Sequence, residues 1–388
     1  MMTPDRRFIP RPRIAFAALA LFAGATAFGD FASSLQAIKS VGPEGRGNAD
    51  AARAWAELSA LPASELPRLV AAIDGAGDLA RNYVFSAATA IAERELKAGH
   101  ALPLAALGDY VFDTSHGARS RRLAYELIGR ADAATAEAMV AGFMDDPAPE
   151  LRRDAVQRLA DKAVKIAAEG RTNAAGVLYQ QALQFARDGD QIESLVRPLK
   201  DLGRPVDVVQ LLGFLTRWKI IAPFDNSGRA GFEKVYPPEN ELRFDAEYEG
   251  KDGKVRWKDF EGTHEFGMID FNKAAAPLKD VAGYASTEFF ADAARPAEIR
   301  IGCKNGWKIW FNGTFLFGRD EYHRGAEMDQ YKLPVTLQPG RNSILVKCTQ
   351  DEEKEEWTVE WEFQLRVTDP TGRVIRSLPA PAKVASER

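Results

Sequence analysis

Asn305-Gly306-Trp307-Lys308-Ile309-Trp310-Phe311-Asn312-Gly313 sets Trp307, Ile309 and Phe311 on one side of an extended chain, with Lys308 and Trp310 on the other. Asn-Gly is the strongest short hairpin signal, so the stretch reads as a strand between two tight turns. The same period of two runs outward from it. Upstream, Ile299, Ile301 and Cys303 share a face; downstream, after Pro339-Gly340, so do Ile344, Val346 and Cys348. The longest alternation places Trp357, Val359, Trp361, Phe363, Leu365 and Val367 inward, with Thr358, Glu360, Glu362, Gln364 and Arg366 outward. One-sided alternation over several strands predicts antiparallel sheets packed as a β-sandwich over residues 216–370.

Before Phe214 the composition changes. From about Phe31 to Gly213 the chain is rich in Ala, Leu, Arg and Asp, at helical spacing. In 151–166, Leu151, Ala155, Leu159, Ala163 and Ile166 form a stripe, while Arg152, Arg153, Gln157, Asp161 and Lys165 face away. Arg121-Arg122-Leu123-Ala124-Tyr125 and Arg152-Arg153-Asp154-Ala155-Val156 stand 31 residues apart, with a further helix expected over 133–144 and a weaker unit over 79–112. Helix pairs recurring at that interval predict an α-solenoid, in which each pair buries its apolar face against the next. The fold class expected is therefore multidomain, α then β: an α-helical repeat domain over 28–215, the antiparallel sandwich over 216–370, and a flexible C-terminal tail over 371–388.

The N-terminus carries Arg6, Arg7, Arg11 and Arg13, an apolar run from Ile14 to Phe28, and the small-x-small triplet Ala25-Thr26-Ala27. This is the pattern of a cleaved signal peptide over residues 1–27. Its apolar run is shorter than the roughly 20 residues a spanning helix needs, so membrane contact is expected only during export. The mature chain is expected to be periplasmic, cell-surface or secreted.

Two resemblances follow from these residues. Asp-Pro-x-x-x-Leu-Arg-x-x-Ala-Val-x-x-Leu at 146–159 resembles the second half of a HEAT repeat, and Ala175, Tyr179, Ala182-Leu183 and Ala186 are spaced as in a tetratricopeptide helix. Ile309-Trp310-Phe311-Asn312-Gly313 and Gly340-Arg341-Asn342-Ser343-Ile344-Leu345-Val346-Lys347 resemble strands of the galactose-binding-like jelly-roll domains found beside glycoside hydrolases. That resemblance covers residues 216–370 and departs from the pattern at Ala222 and at Cys303-Lys304-Asn305-Gly306, where many members place an acidic pair. It implies a binding fold, for sugar or as a structural module.

The 388 residues carry a net charge of −4, which speaks against nucleic-acid binding, since that needs a clustered excess of Lys and Arg. Four His and two Cys, widely spread, are thin material for a metal or catalytic centre, and no cofactor is expected. Asp320, Glu321 and His323 read as a solvated loop, the run Asp351 to Glu356 as a solvated hairpin tip, and His100 and His116 as loop residues. Cys303 and Cys348 end inward-facing stretches and form a possible disulfide if the chain is exported; the alternative is two small buried hydrophobes. Trp310, on the face opposite Ile309, makes the expected ligand-binding patch with Asn305, Asn312 and Tyr322, because an exposed indole offers a sugar a flat apolar platform. The function expected is an exported, non-catalytic binding or scaffold protein, its helices contacting another envelope or secreted protein and its sandwich a glycan or partner. The alternatives are a polysaccharide hydrolase or its accessory module, and a purely structural envelope component.

Overall fold

The computed structural model describes residues 24–380, with side chains from Phe31 onward. The cationic start and most of the expected signal peptide lie outside the described residues. Among those described, no helix is long and apolar enough to cross a membrane.

The chain forms two compact units, dividing between Met139 and Val140. The first is helical: α1 Gly24–Lys39, α2 Asn48–Ser59, α3 Leu66–Ala71, α4 Asp78–Lys97, α5 Leu104–Phe112, α6 Ala118–Ala131 and α7 Ala133–Met139. Its core is built from one stripe per helix, such as Val84, Ala87, Ala88 and Ile91 on α4 and Leu123, Ala124, Leu127 and Ile128 on α6. The start of α6 is pinned from a distance by Asp74, which accepts hydrogen bonds from the Gly117 amide (3.0 Å) and Ser120 Oγ (2.6 Å) and meets His116 Nδ1 at 3.0 Å. His116, read as a loop residue, is stacked on Tyr110 at 4.0 Å. Burial alone would raise the Asp74 carboxyl, but hydrogen bonds from Ser120, His116 and Gly117 outweigh it and hold the group below its ordinary value. A carboxyl depressed on folding stabilises above its unfolded value and loses that contribution as pH falls through the folded one. Asp74→Asn is therefore expected to destabilise this unit at neutral pH, with the difference from wild type closing below about pH 4 in acid-unfolding curves followed by far-UV circular dichroism.

The second unit starts with helices and ends in sheets. After a 3₁₀ turn over Val140–Phe143 come α8 Pro149–Ala168, α9 Thr172–Phe185, α10 Gly189–Asp201 and α11 Val208–Leu212. The switch from helix to strand falls at 213–217, where composition and period changed, but the compact units divide elsewhere. Helices α8 to α11 share a core of Val156, Tyr179, Leu183, Leu195 and Leu199 that also takes in Phe214 and Met328, beside the sheets. Gly189 approaches Met328 so closely that a Cβ there would stand 2.8 Å from Met328 Cβ. The two copies of the 31-residue repeat are α6 and α8, one in each unit.

The strands are β1 Arg217–Asp225, β2 Glu247–Glu249, β3 Lys254–Arg256, β4 Lys258–Glu261, β5 Ile269–Asp270, β6 Val281–Ala291, β7 Arg295–Cys303, β8 Gly306–Phe311, β9 Thr314–Arg319, β10 Tyr331–Leu337, β11 Gly340–Gln350 and β12 Glu362–Thr368. They form an antiparallel sheet in the order β4-β1-β6-β11-β8-β9 and a second in the order β10-β7-β12-β5, besides the β2–β3 ribbon. The inner faces share one core, with Trp307, Ile309, Ile344 and Val346 from the large sheet against Ile299, Ile301, Phe363 and Leu365 from the small one.

The turns divide by geometry. Asn312 and Gly313 both take the left-handed conformation (φ 50° and 78°), as a two-residue hairpin between β8 and β9 requires. Asn305-Gly306 is not a hairpin: Cys303 pairs with Phe363 in the small sheet and Gly306 with Thr349 in the large one, so the chain changes sheet there. Glycine is needed at this corner for closeness, since a Cβ on Gly306 would lie 2.5 Å from Thr349 Oγ1. Pro339-Gly340 likewise carries the chain from β10 to β11, between sheets.

Neither outer face is left open in the way alternation suggested. Segment 226–257 lies over the large sheet and buries a second core of Ile221, Phe224, Tyr236, Tyr284, Trp310 and Leu345. Within it Lys347, wholly buried, donates to the carbonyls of Phe232 (3.0 Å) and Lys234 (2.8 Å) and to Glu239 (2.8 Å). Over the small sheet, Gln364 and Arg366, expected outward, are buried under the loop that carries Glu327 and Asp329. Arg152, also expected to face solvent, is buried, its guanidinium on the Asp146 carbonyl and 3.7 Å from Asp188, the residue before α10. Residues 374–378, assigned to a tail, are laid along the sheets: Val374 bridges to Thr368, the Ile375 amide donates to Val367 and the Leu378 amide to Phe290.

Candidate functional site

One end of the sandwich gathers four segments: 226–229 after β1, the corner 304–305, the 320–330 connection between β9 and β10, and the 351–361 connection between β11 and β12. The end of β11 is their floor, with Thr349, Gln350 and Asp351 fully buried. A buried polar side chain is tolerated only with its partners in place, and these partners shape the loops. Asn305 donates to Gln350 Oε1 (3.1 Å) and the Glu360 carbonyl (3.0 Å) and accepts the Glu362 amide. Gln350 donates to the Thr358 carbonyl at 2.9 Å, and Thr358 Oγ1 to the carbonyls of Glu353 and Glu355. Tyr322 OH meets Thr349 Oγ1 at 2.9 Å and accepts from Asn226 Nδ2 at 3.2 Å; burial pushes its phenol up to about 12.

Above that floor stands a His-Asp pair. Asp351 lies 2.7 Å from His323 Nε2 and 3.0 Å from Arg229 Nη2, and Arg229 also reaches Glu352 and stacks over Tyr322. The Arg229–Asp351 contact is a charge pair without hydrogen-bond alignment. A carboxylate can only accept, so Nε2 donates to it and Nδ1 is the nitrogen left over. Both Arg229 (φ 63°) and His323 (φ 55°) hold left-handed backbone, which a non-glycine residue adopts only where its surroundings fix it.

On the outside of this pair is Trp357, 66% exposed, its ring edge-on to His323 at 5.4 Å. It shares a shallow cleft of about 130 Å³ with Lys304, His323, Arg324, Gly325 and Glu360. Lys304 is paired with Glu360 and lies 3.6 Å from Glu362, whose carboxyl is raised by burial. An uncovered indole ringed by fixed donors and acceptors can hold a ring that has an apolar face and polar edges, as a pyranose has.

The residues expected to bind do not come together. Asn305, buried, and Tyr322, half-buried, are engaged in the hydrogen-bond network at the end of β11. Trp310 and Asn312 lie at the other end of β8: Trp310 is 9% exposed in the second core against Phe315, and Asn312 is occupied in its hairpin, bonded to Asn342 and the Ser343 amide. The edge of Trp310 touches a separate cleft of about 300 Å³, lined by Glu239, Asn240 and Arg341 among others. Cys303 and Cys348 are free thiols. Trp357, expected in the core, is outside because the strand starts at Glu362, and a 3₁₀ turn over Glu356–Thr358 presents the ring. His323 and Asp351, expected in solvated loops, are the packed pair. Among the described residues no group of three His, Cys, Asp or Glu is arranged to hold a metal ion.

No protein-family model matches the chain, and no curated protein matches it. Structural neighbours are glycoside hydrolases. A GH31 α-xylosidase from Xanthomonas citri aligns with 34% of this chain and 13% of its own length (11% identity, TM-score 0.22). A GH2 β-galacturonidase from Eisenbergiella tayi aligns over 40% and 25% (8% identity, TM-score 0.24), and a β-glucosidase from Kluyveromyces marxianus over 41% and 16% (12% identity, TM-score 0.20). This chain thus spans a quarter or less of the length of each.

Proposed function

We propose that the chain is an exported, non-catalytic binding and scaffold protein. Its sandwich, a jelly roll of the galactose-binding-like kind, takes a glycan at the Trp357 cleft, and its HEAT- or tetratricopeptide-like helices offer a surface to another envelope or secreted protein. The observation that carries the glycan reading is Trp357: a large aromatic ring left in solvent on a loop supported by a network of six buried or part-buried hydrogen bonds. Exposed apolar side chains are commonplace, but one presented by so ordered a support, beside a His fixed by a buried carboxylate, has the preorganisation a binding site needs.

The test is a glycan array with the full chain, followed by titration of any ligand found. Trp357→Ala is expected to weaken binding at least about 30-fold, since a central aromatic anchor typically carries 2 kcal/mol or more. Its unfolding midpoint is expected to stay within about 0.5 kcal/mol of wild type, as for other exposed positions. A wild-type protein that binds no glycan removes the reading; a variant that binds as well as wild type moves the site elsewhere.

A further inference from the structure

The two cysteines stand in different sheets, Cys303 at the end of β7 and Cys348 within β11, yet their Sγ atoms are 3.7 Å apart in the shared core. Cys348 is paired with Gly283 and Trp307 on its two sides in the large sheet, and Cys303 with Phe363 in the small one, so both backbones are held by ladder pairing. An S–S bond of roughly 2.05 Å needs the sulfurs to close by only about 1.7 Å. The thiols otherwise find weak partners: Cys303 Sγ lies 3.5 Å from the Asn305 carbonyl and 3.4 Å from that of Glu362.

We propose that Cys303 and Cys348 are a modification site, closed to a cross-sheet disulfide by an oxidant of the disulfide class, either a thiol–disulfide oxidoreductase or a small-molecule disulfide such as oxidised glutathione. The thiolate of one cysteine attacks the oxidant's disulfide and expels one half of it as a thiolate. The second cysteine, as thiolate, then attacks the mixed disulfide and expels the other half. Two electrons pass from the cysteines to the oxidant, which ends as two thiols carrying the two cysteine protons. The order of events follows from burial. Cys348 is wholly enclosed, and burial together with the neighbouring Cys303 sulfur disfavours its thiolate. The exchange therefore takes place while the sandwich is still assembling, before the core excludes the oxidant. The bond would close a loop across 45 positions and join the two sheets covalently at the end where the Trp357 cleft lies.

The full chain, unfolded and reduced, is refolded with oxidised and reduced glutathione or with dithiothreitol, then denatured, alkylated and weighed. The glutathione sample is expected to be about 2 Da lighter than the reduced chain and to take up no alkyl group. The dithiothreitol sample is expected to carry two alkyl groups, and its melting temperature to lie lower by on the order of 10 °C. Native reduced protein placed in the same glutathione buffer is expected to keep both thiols for many times the refolding period. Two alkyl groups from both refolding conditions, glutathione adducts in place of the loss of mass, or disulfide-linked dimers would overturn the assignment. Oxidation of the native protein as fast as the refolding one would overturn the proposed order.

Discussion

Replacing Asp329 by Ala is expected to cost the second unit about 3–5 kcal/mol, the range for leaving a buried charge without its partner. Arg300 on β7 and Arg366 on β12 are directly opposite one another in the ladder, both nearly inaccessible. Like charges so placed repel. Asp329 is what makes the pairing tolerable: one carboxylate oxygen accepts from Arg366 Nε (2.8 Å), and the other from Arg300 Nη1 (2.8 Å) and Arg366 Nη2. Glu298 takes the far side of Arg300, and Arg366 reaches on to the Arg187 carbonyl at 3.1 Å. Without Asp329 two guanidiniums face each other with little water. Six of the seven tryptophans lie in this unit, so urea unfolding followed by tryptophan fluorescence reads the loss. Burial by itself would raise the Asp329 carboxyl; the bonds and charges of Arg366 and Arg300 outweigh it and the group ends below its ordinary value. Its contribution is then complete above the unfolded carboxyl's range, about pH 4, and is lost as pH falls through the lower folded value. The gap between wild type and Asp329→Ala should therefore narrow only in strong acid. A gap that closes near neutrality would show that the carboxylate is not the ionised partner of this pair.

The same ladder shows where reading the sequence stops. Ile299, Ile301, Ile309, Phe363 and Leu365 could be placed inside because alternation reports one buried face, and every one of them is in the shared core. Alternation is silent on what covers the other face. Arg366 and Gln364 look like solvent-facing residues locally, and they are buried because the loop carrying Glu327 and Asp329, the latter 37 positions from Arg366, comes over them. Arg152 fails in the same way on α8, where a helical stripe gives the apolar direction but not the neighbour on the flank. Asn312-Gly313 and Asn305-Gly306 carry the same dipeptide signal; only the pairing of Cys303 with Phe363 and Gly306 with Thr349 tells a hairpin from a change of sheet. Less of the candidate site is legible. Asn305 and Tyr322 read as ligand contacts, whereas in the structure their side chains are engaged with Gln350, Glu360, Thr349 and Asn226, and Trp357 continues the alternation of a strand that starts only at Glu362. The run of acidic residues before it, Asp351 to Glu356, is a sign against a continuous buried strand. Asp351 itself is buried because Arg229, more than 120 positions upstream, and His323 come to it.

Trp310 is where the two readings diverge most in consequence. As an exposed sugar platform its removal would abolish binding and leave the fold intact. Buried between sheet and covering segment, with Ile221, Tyr284 and Leu345 in the same core, it is expected to behave as a packing residue: Trp310→Ala should cost about 3–5 kcal/mol, the range for deleting a large aromatic from a core. The loss has a second component, because segment 226–257 rests on that core and carries Glu239, the partner of buried Lys347. A cavity under the segment loosens the carboxylate that holds the ammonium, and a buried cation with a poorer partner adds to the cost. Trp310→Phe, which keeps most of the apolar volume, should recover more than half of it. Glycan affinity per folded molecule should stay within about twofold for Trp310→Phe, since Trp310 and Trp357 serve opposite ends of β8. Should Trp310→Ala instead unfold at the wild-type urea midpoint while losing its ligand, the indole would be a platform after all, and the 300 Å³ cleft beside Asn240 and Arg341 would take the place of the Trp357 site.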